Sequence, residues 1–103
     1  MNPIFTVTTV KGALGAGVRT VGYFYDYDDA HICVENNDFD INEHGYYPYA
    51  VIEEVMPGIY TYPRTESWYK WNRDKEQYES CNKPDRFKQM AGWSLGWKYN
   101  AIL

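Results

Sequence analysis

The densest group of chemically capable side chains lies in residues 60–71, YTYPRTESWYKW. This stretch holds five aromatic rings, one arginine and one lysine within twelve positions. An aromatic face stacks on planar groups, and a neighbouring cation can hold a phosphate or a carboxylate. The combination favours a binding surface for a planar anion. The residues that we predict to bind ligand are Arg64, Trp68 and Lys70, with Arg19 and Tyr62 as weaker members.

A strand over residues 67–71 would divide the rings between two faces. Alternate residues of a strand face the same side, so Trp68 and Lys70 would share one face while Tyr69 and Trp71 share the other. One face would join the core, and the other would present a ring beside a cation. The alternative is that these rings fill a core, with Lys70 and Arg64 covering them by their aliphatic stems. The sequence leaves both interpretations open.

The remaining candidate ligands and nucleophiles do not form a recognisable catalytic or metal motif. Asp38, Asp40 and Asn42 have the first spacings of a calcium loop, but its sixth position is not glycine and its twelfth is not glutamate. His31 and Cys33, two residues apart, would face different sides of a helix, and no Cys-x-x-Cys pair occurs. We therefore predict a protein that is not an enzyme and that works without a metal, a cofactor or a disulfide.

Two adjacent carboxylates, Glu53 and Glu54, point to opposite faces if they lie in a strand. We expect one of them to face inward and to pair with Arg19 or Lys70. Such a pair would be either structural or part of a binding site.

Composition indicates one folded, water-soluble domain over residues 1–103. The chain is 45% apolar and has eleven tyrosines, whereas disordered chains are poor in aromatic residues. Its net charge of −4 argues against general nucleic-acid binding, which needs clustered Lys and Arg. We find no secretory signal and no apolar run of about 20 residues that could span a bilayer. We expect a cytoplasmic protein with reduced Cys33 and Cys81, and a homo-oligomer is compatible with the sequence.

The sequence pattern of the strands and helices that position these residues predicts an α+β fold. Turn-forming residues separate β-branched and aromatic runs, and one helical stripe lies between them. We predict an antiparallel sheet of about five strands, with one main helix over Tyr27–Asn37 packed on one face through Cys33 and Val34. The predicted strands cover residues 4–10, 19–27, 49–56, 67–71 and 76–80, followed by a short helix from Pro84 and a further strand in the tail GWSLGWKYNAIL.

The chain resembles a family of small uncharacterised proteins of Firmicutes and their phages. The resemblance spans about Arg19 to Gly96 and is carried by RTVGYF, DYDDAHICVENN, YAVIEEVMPGIYTYP, SWYKW and NKPDRF. It implies a stand-alone domain and brings no active-site residues. Small phage proteins of this size often act by binding: they block a host defence protein or sequester its nucleotide signal.

Two functions follow as expectations. In the first, a non-catalytic, phage-encoded binding protein acts in counter-defence by sequestering a nucleotide-like immune signal in the host cytoplasm. In the second, an acidic protein-interaction module inhibits a host defence protein by direct binding. A concave pocket lined by rings and cations would favour the first, and a flat apolar patch the second.

Overall fold

A computed structural model describes residues 2–11, 17–58 and 63–88, with the backbone alone at Arg86 and Lys88. It contains a five-stranded antiparallel sheet with the strand order β2-β1-β3-β4-β5, which confirms the predicted α+β class. The elements are β1 (Ile4–Val10), β2 (Val18–Phe24), α1 (Tyr27–Glu35), a 3-10 turn (Asp38–Asp40), β3 (Tyr49–Val55), β4 (Thr65–Asn72), β5 (Gln77–Cys81) and α2 (Asp85–Lys88).

Strand β1 is an interior strand of the sheet, next to the edge strand β2, and pairs with both β2 and β3. Its sequence IFTVTTV is rich in β-branched residues, which suit a pleated, buried surface. The pairing with β2 shifts register between Val7 and Thr8. Just after the end of β1, the Lys11 amide donates to the carbonyl of Gly17, the residue before β2, at 2.7 Å. Gly17 has φ 68°, and a Cβ there would lie 2.8 Å from the Lys11 Cβ, so this close return of the chain requires glycine.

Helix α1 begins with a side-chain cap and ends two residues earlier than predicted. The Asp26 carboxylate accepts from the Asp28 amide at 2.8 Å. The helix ends at Glu35 rather than near Asn37, because Asn37 has φ 50°, a left-handed conformation that cannot continue a right-handed helix. Val34 is fully buried, as expected, whereas Cys33 is half-buried near the edge of the interface.

The sheet has a core on each face. Beneath α1, the fully buried Tyr69 and Tyr78 join the side chains of Val7, Ala30, Val34, Ile41, Ala50 and Ile52. On the opposite face, Trp68 and Phe87 pack with Val10 and Val51. The Trp68 and Phe87 rings are stacked, with centroids 5.0 Å apart and planes 16° apart. The predicted division of β4 into Trp68 and Tyr69 faces is therefore confirmed, and both rings belong to cores.

The later elements lie close to their predicted positions. Strand β4 is longer than predicted at both ends, and β5 begins at Gln77 because Glu76 has φ 52° and belongs to the turn. The predicted strand in the tail lies outside the described residues. Among the residues that are described, no helix is long and apolar enough to cross a bilayer.

Candidate functional site

The structure distributes the predicted ligand-binding residues among three clefts. Arg64 and Trp68 line one cleft, Lys70 lines a second and Arg19 lines a third. Tyr62 lies outside the described residues. The predicted group is therefore not brought together as one surface.

The Arg64 cleft, of about 500 Å³, lies beside the start of β4. Arg64 is exposed, and its Nη1 lies 3.4 Å from the Met56 sulfur. Trp68 is only 4% exposed, and its indole Nε1 donates to Glu66 Oε1 at 2.9 Å. The same carboxylate oxygen lies 3.2 Å from the Lys83 ammonium. This cleft offers a cation but hardly any free surface of the Trp68 ring.

Arg19 is committed to an ion pair. Its Nη1 lies 2.5 Å from Glu43 Oε2, so the expected pairing with Glu53 or Glu54 is wrong for Arg19. Glu53 is the inward-facing member of that carboxylate pair and is fully buried. The half-buried Glu54 accepts from the Thr65 hydroxyl at 3.2 Å.

A larger cleft, of about 890 Å³, lies at the end of the sheet where β3 begins and β4 turns into β5. Its size is within the range of small-molecule sites, about 300–1,000 Å³. We name it the Trp71 cleft after the half-buried ring in its wall. The other lining residues are Asn37, Asp40, Asn42, His44, Gly45, Pro48, Lys70, Arg73 and Glu76.

Trp71 is held in place from two sides. Its backbone amide donates to the Pro48 carbonyl at 2.8 Å, which ties the end of β4 to the residue before β3. Its ring meets Tyr78 edge to face, with centroids 5.0 Å apart. The ring in the cleft wall is therefore preorganised, which lowers the entropy lost when a ligand stacks on it.

Asn72 fixes the turn that carries Arg73 and Glu76. Its side-chain oxygen accepts from the backbone amides of Asp74 and Lys75 at 3.0 and 3.1 Å, an Asx-type arrangement. Its amide nitrogen donates to Glu79 Oε1 at 2.9 Å. Hydrogen bonds from Asn72 and Lys75 lower the pKa of the Glu79 carboxyl. The turn thus has a defined geometry on one side of the cleft.

Two cations of the Trp71 cleft have no acidic partner. Lys70 and Arg73 are exposed, and neither forms an ion pair within the part of the chain that the structure describes. Lys75, by contrast, lies 3.3 Å from Glu79. An unpaired, solvated cation can bind an incoming anion without first breaking an internal ion pair.

Residues 37–45, a segment with strained backbone, form another part of the wall of the Trp71 cleft. Five non-glycine residues of this segment have positive φ: Asn37, Phe39, Asp40, Glu43 and His44. Asn42, 1% exposed, anchors the segment by donating to the Tyr47 carbonyl at 2.7 Å and to the Tyr78 hydroxyl at 3.3 Å. Its side-chain oxygen also accepts from the Gly45 amide. Left-handed conformations outside glycine cluster at functional sites, where the surrounding structure maintains them.

Trp71, Arg73 and His44 were not among the predicted site residues. Trp71 and Arg73 are close to Lys70 in the sequence, and a search for rings and cations across the end of β4 could have found them. His44 comes from a segment far away along the chain, and only the packing of residues 37–45 against the sheet brings it to the cleft.

A chain of hydrogen bonds beneath α1 was also missed. His31 Nδ1 lies 2.6 Å from the Tyr69 hydroxyl, and its Nε2 lies 3.0 Å from Glu35 Oε1. The Tyr69 hydroxyl lies 3.3 Å from that of Tyr27, which donates to Ser67 Oγ at 3.3 Å. Burial, followed by the hydrogen bond with Tyr27, raises the pKa of Tyr69, so its phenol stays neutral. A neutral, buried phenol is a poor nucleophile, and the network fastens α1 to β4.

The two cysteines are free and weakly acidic. Burial, with the Asp38 charge as a smaller cause, raises the pKa of the Cys33 thiol, and burial also raises that of Cys81. Neither thiol is activated as a nucleophile. Within residues 2–11, 17–58 and 63–88, no three His, Cys, Asp or Glu side chains are grouped as a metal site would require.

Comparisons of the chain with protein-family models, with curated proteins and with solved structures gave no match.

Proposed function

We propose that the protein is a non-catalytic binding protein that holds a nucleotide-like anion in the Trp71 cleft. The observation that carries this proposal is the presence of a fixed Trp71 ring and the unpaired cations Lys70 and Arg73 in one concave site. A base stacked on an aromatic ring gains about 1–3 kcal/mol, and a phosphate accepts charge-assisted hydrogen bonds from Arg73. Lys70, on the opposite face of β4 from Trp71, adds a second positive charge at the cleft.

The acidic residues of the cleft favour a nucleotide over a bare polyanion. Asp40 and Glu76 line the same cleft as the cations. Their carboxylates can accept hydrogen bonds from sugar hydroxyls, whereas they repel a phosphate that lacks a sugar and a base. The expected ligand therefore has a planar base, hydroxyls and one or two phosphates.

Titration calorimetry with inorganic phosphate, adenosine, AMP and ADP tests this proposal. We expect no binding of phosphate, weak binding of adenosine, and stronger binding of AMP and ADP that decreases as salt rises. Trp71→Ala should weaken adenosine and AMP about tenfold, because the stacking surface is lost. Arg73→Gln should reduce the advantage of AMP over adenosine. No binding of any nucleoside or nucleotide at millimolar concentration would reject the proposal.

Lys75→Gln is the matched control. Lys75 lies in the same turn as Arg73 and is equally a cation, but Glu79 already neutralises it. We expect this variant to bind AMP like the wild type. Equal losses in Lys75→Gln and Arg73→Gln would mean that overall charge, rather than the cleft, attracts the nucleotide. Arg64→Gln, measured in the same series, shows whether the Arg64 cleft takes part.

In the host cell, we propose that the protein acts in counter-defence by sequestering a nucleotide-like immune signal. The family resemblance supports a phage origin, and a binding protein that does not transform its ligand suits this role. Bound nucleotide should then be recovered chemically unchanged after prolonged incubation. Phage growth on a defended host should improve with the wild-type protein and not with Trp71→Ala.

A further inference from the structure

The third cleft, which we name the Phe39 groove, lies between the C-terminal half of α1 and strands β1 and β2. It has a volume of about 510 Å³. Apolar side chains line most of it, among them the buried Val7 and Ile41 and the half-buried Val21 and Phe24. Gly22 also lines the groove, and a Cβ built there would meet no atom within 4 Å. The groove is therefore an apolar site that the described residues leave open.

Phe39 stands at the mouth of this groove with its side chain completely exposed. Its φ of 54° is a left-handed conformation, which is unfavourable for a residue with a Cβ. An exposed phenyl ring recovers none of this cost by burial in the free protein. Large exposed rings beside an apolar cleft are typical of sites where a partner covers both.

The surroundings of the groove are acidic. Residues 20–63, which supply most of the groove lining, contain no Lys or Arg. Asp38, Asp40 and Glu43 lie on the groove itself, and Arg19, the one cation among its described lining residues, is neutralised by Glu43. An anionic ligand would be repelled here, whereas a cationic partner would be attracted.

We propose that the Phe39 groove binds a basic peptide segment of a protein partner, in which a large apolar side chain is flanked by Lys or Arg. The apolar anchor would fill the groove above Gly22, Phe39 would pack on the backbone beside it, and the flanking cations would face Asp38 and Asp40. A peptide fits better than a small organic cation, because the contact has to cover the apolar interior, the exposed Phe39 ring and the carboxylates Asp38 and Asp40 at the same time.

This inference goes beyond the nucleotide proposal and concerns a different surface. Residues 37–45 separate the Phe39 groove from the Trp71 cleft, and of this segment Asp40 alone lines both sites. Failure of one proposal therefore does not decide the other.

Differential selection from a randomised peptide library tests the proposal. The library is selected on the wild-type protein and counter-selected on Gly22→Val, in which an added side chain occupies the groove. We expect the enriched peptides to share a large apolar residue flanked by Lys or Arg. Absence of enrichment over Gly22→Val, or enrichment of acidic or uncharged peptides, would overturn the proposal.

Titrations of an enriched peptide give the second measurement. Gly22→Val and Phe39→Asn should each weaken binding about tenfold or more, the loss typical of a hot-spot residue. Tyr23→Ala is the matched control, since Tyr23 is an exposed ring next to Gly22 on the opposite face of β2. Full binding by both groove variants, or an equal loss in Tyr23→Ala, would contradict the assignment.

Thermal melts show whether these variants are folded, so that a loss of binding can be distinguished from unfolding. Phe39→Asn should melt at or above the wild-type temperature, because asparagine tolerates positive φ and no buried contact is lost. Gly22→Val should also remain folded, since valine suits a strand and the added atoms enter open space. If Gly22→Val unfolds, Phe39→Asn decides: unchanged peptide binding there would overturn the proposal.

Discussion

At the scale of single residues, two tryptophans three positions apart in β4 have different roles. Trp68 lies on the face away from α1, and its ring is stacked on Phe87. Trp71 lies on the other face at the end of the strand, where its ring is part of a cleft wall. Their contribution to stability and to binding therefore differs, although both belong to the same aromatic motif.

Trp68→Ala should reduce the free energy of unfolding by about 3–5 kcal/mol, the usual cost of truncating a large buried aromatic residue. Arg64→Ala, which removes an exposed side chain beside the same cleft, should leave stability nearly unchanged. Urea unfolding of the two variants measures both effects. A Trp68→Ala protein as stable as the wild type would show that this ring is not part of the core.

At the scale of elements, the N-terminus of α1 depends on one carboxylate. The helix has nine residues, too short to be stable by itself, and Asp26 satisfies one of its free amides. Asp26→Ala should destabilise the protein by about 1 kcal/mol, a typical loss for a helix cap. Asp26→Asn, which keeps a side-chain acceptor, should lose much less. Equal melting temperatures for Asp26→Ala and the wild type would contradict the capping role.

The elements could be predicted from the sequence because local rules determine them. The β-branched run of β1 and the Pro57-Gly58 turn after β3 each carry their own signal. The left-handed segment 37–45 has no such signal, since its conformation depends on Asn42 bonding to Tyr47 and Tyr78. The clefts could not be predicted for the same reason: they form where distant segments meet.

At the scale of the whole molecule, acidic and basic residues are unevenly distributed along the chain. Residues 20–63 contain nine Asp and Glu and no Lys or Arg. Eight of the ten basic residues follow Pro63. The Trp71 cleft lies where these two stretches meet, and the Phe39 groove lies in the acidic stretch. The two proposed ligands accordingly have opposite charge.

The buried tyrosines make the fold sensitive to alkali. Burial raises the pKa of Tyr78 to about 12, against 10 for an ordinary tyrosine. Below pH 10 the phenol is neutral in both states, so its full contribution to stability is present. Between about pH 10 and about pH 12 the unfolded chain ionises while folded Tyr78 stays neutral, so stability falls as pH rises.

Urea unfolding at increasing pH measures this loss, with tyrosinate absorbance as an independent probe. Tyr78→Phe should lower stability at neutral pH, because the bonds to Asn42 and to the Tyr47 carbonyl are lost, and should flatten the alkaline decline. Tyr25→Phe, at an exposed position, should retain the wild-type decline. A decline of the same steepness in Tyr78→Phe would assign the effect to other groups.

The interior position of β1, between β2 and β3, has a consequence for synthesis on the ribosome. Residues 4–10 and 18–24 are made first and can pair as a hairpin, but the second edge of β1 receives its partner only when residues 49–55 emerge. At about 5–20 residues per second this delay lasts a few seconds. During that time a threonine- and valine-rich strand edge is open to pairing with other nascent chains. The hazard of misassembly is thus concentrated before the middle of the chain has left the exit tunnel.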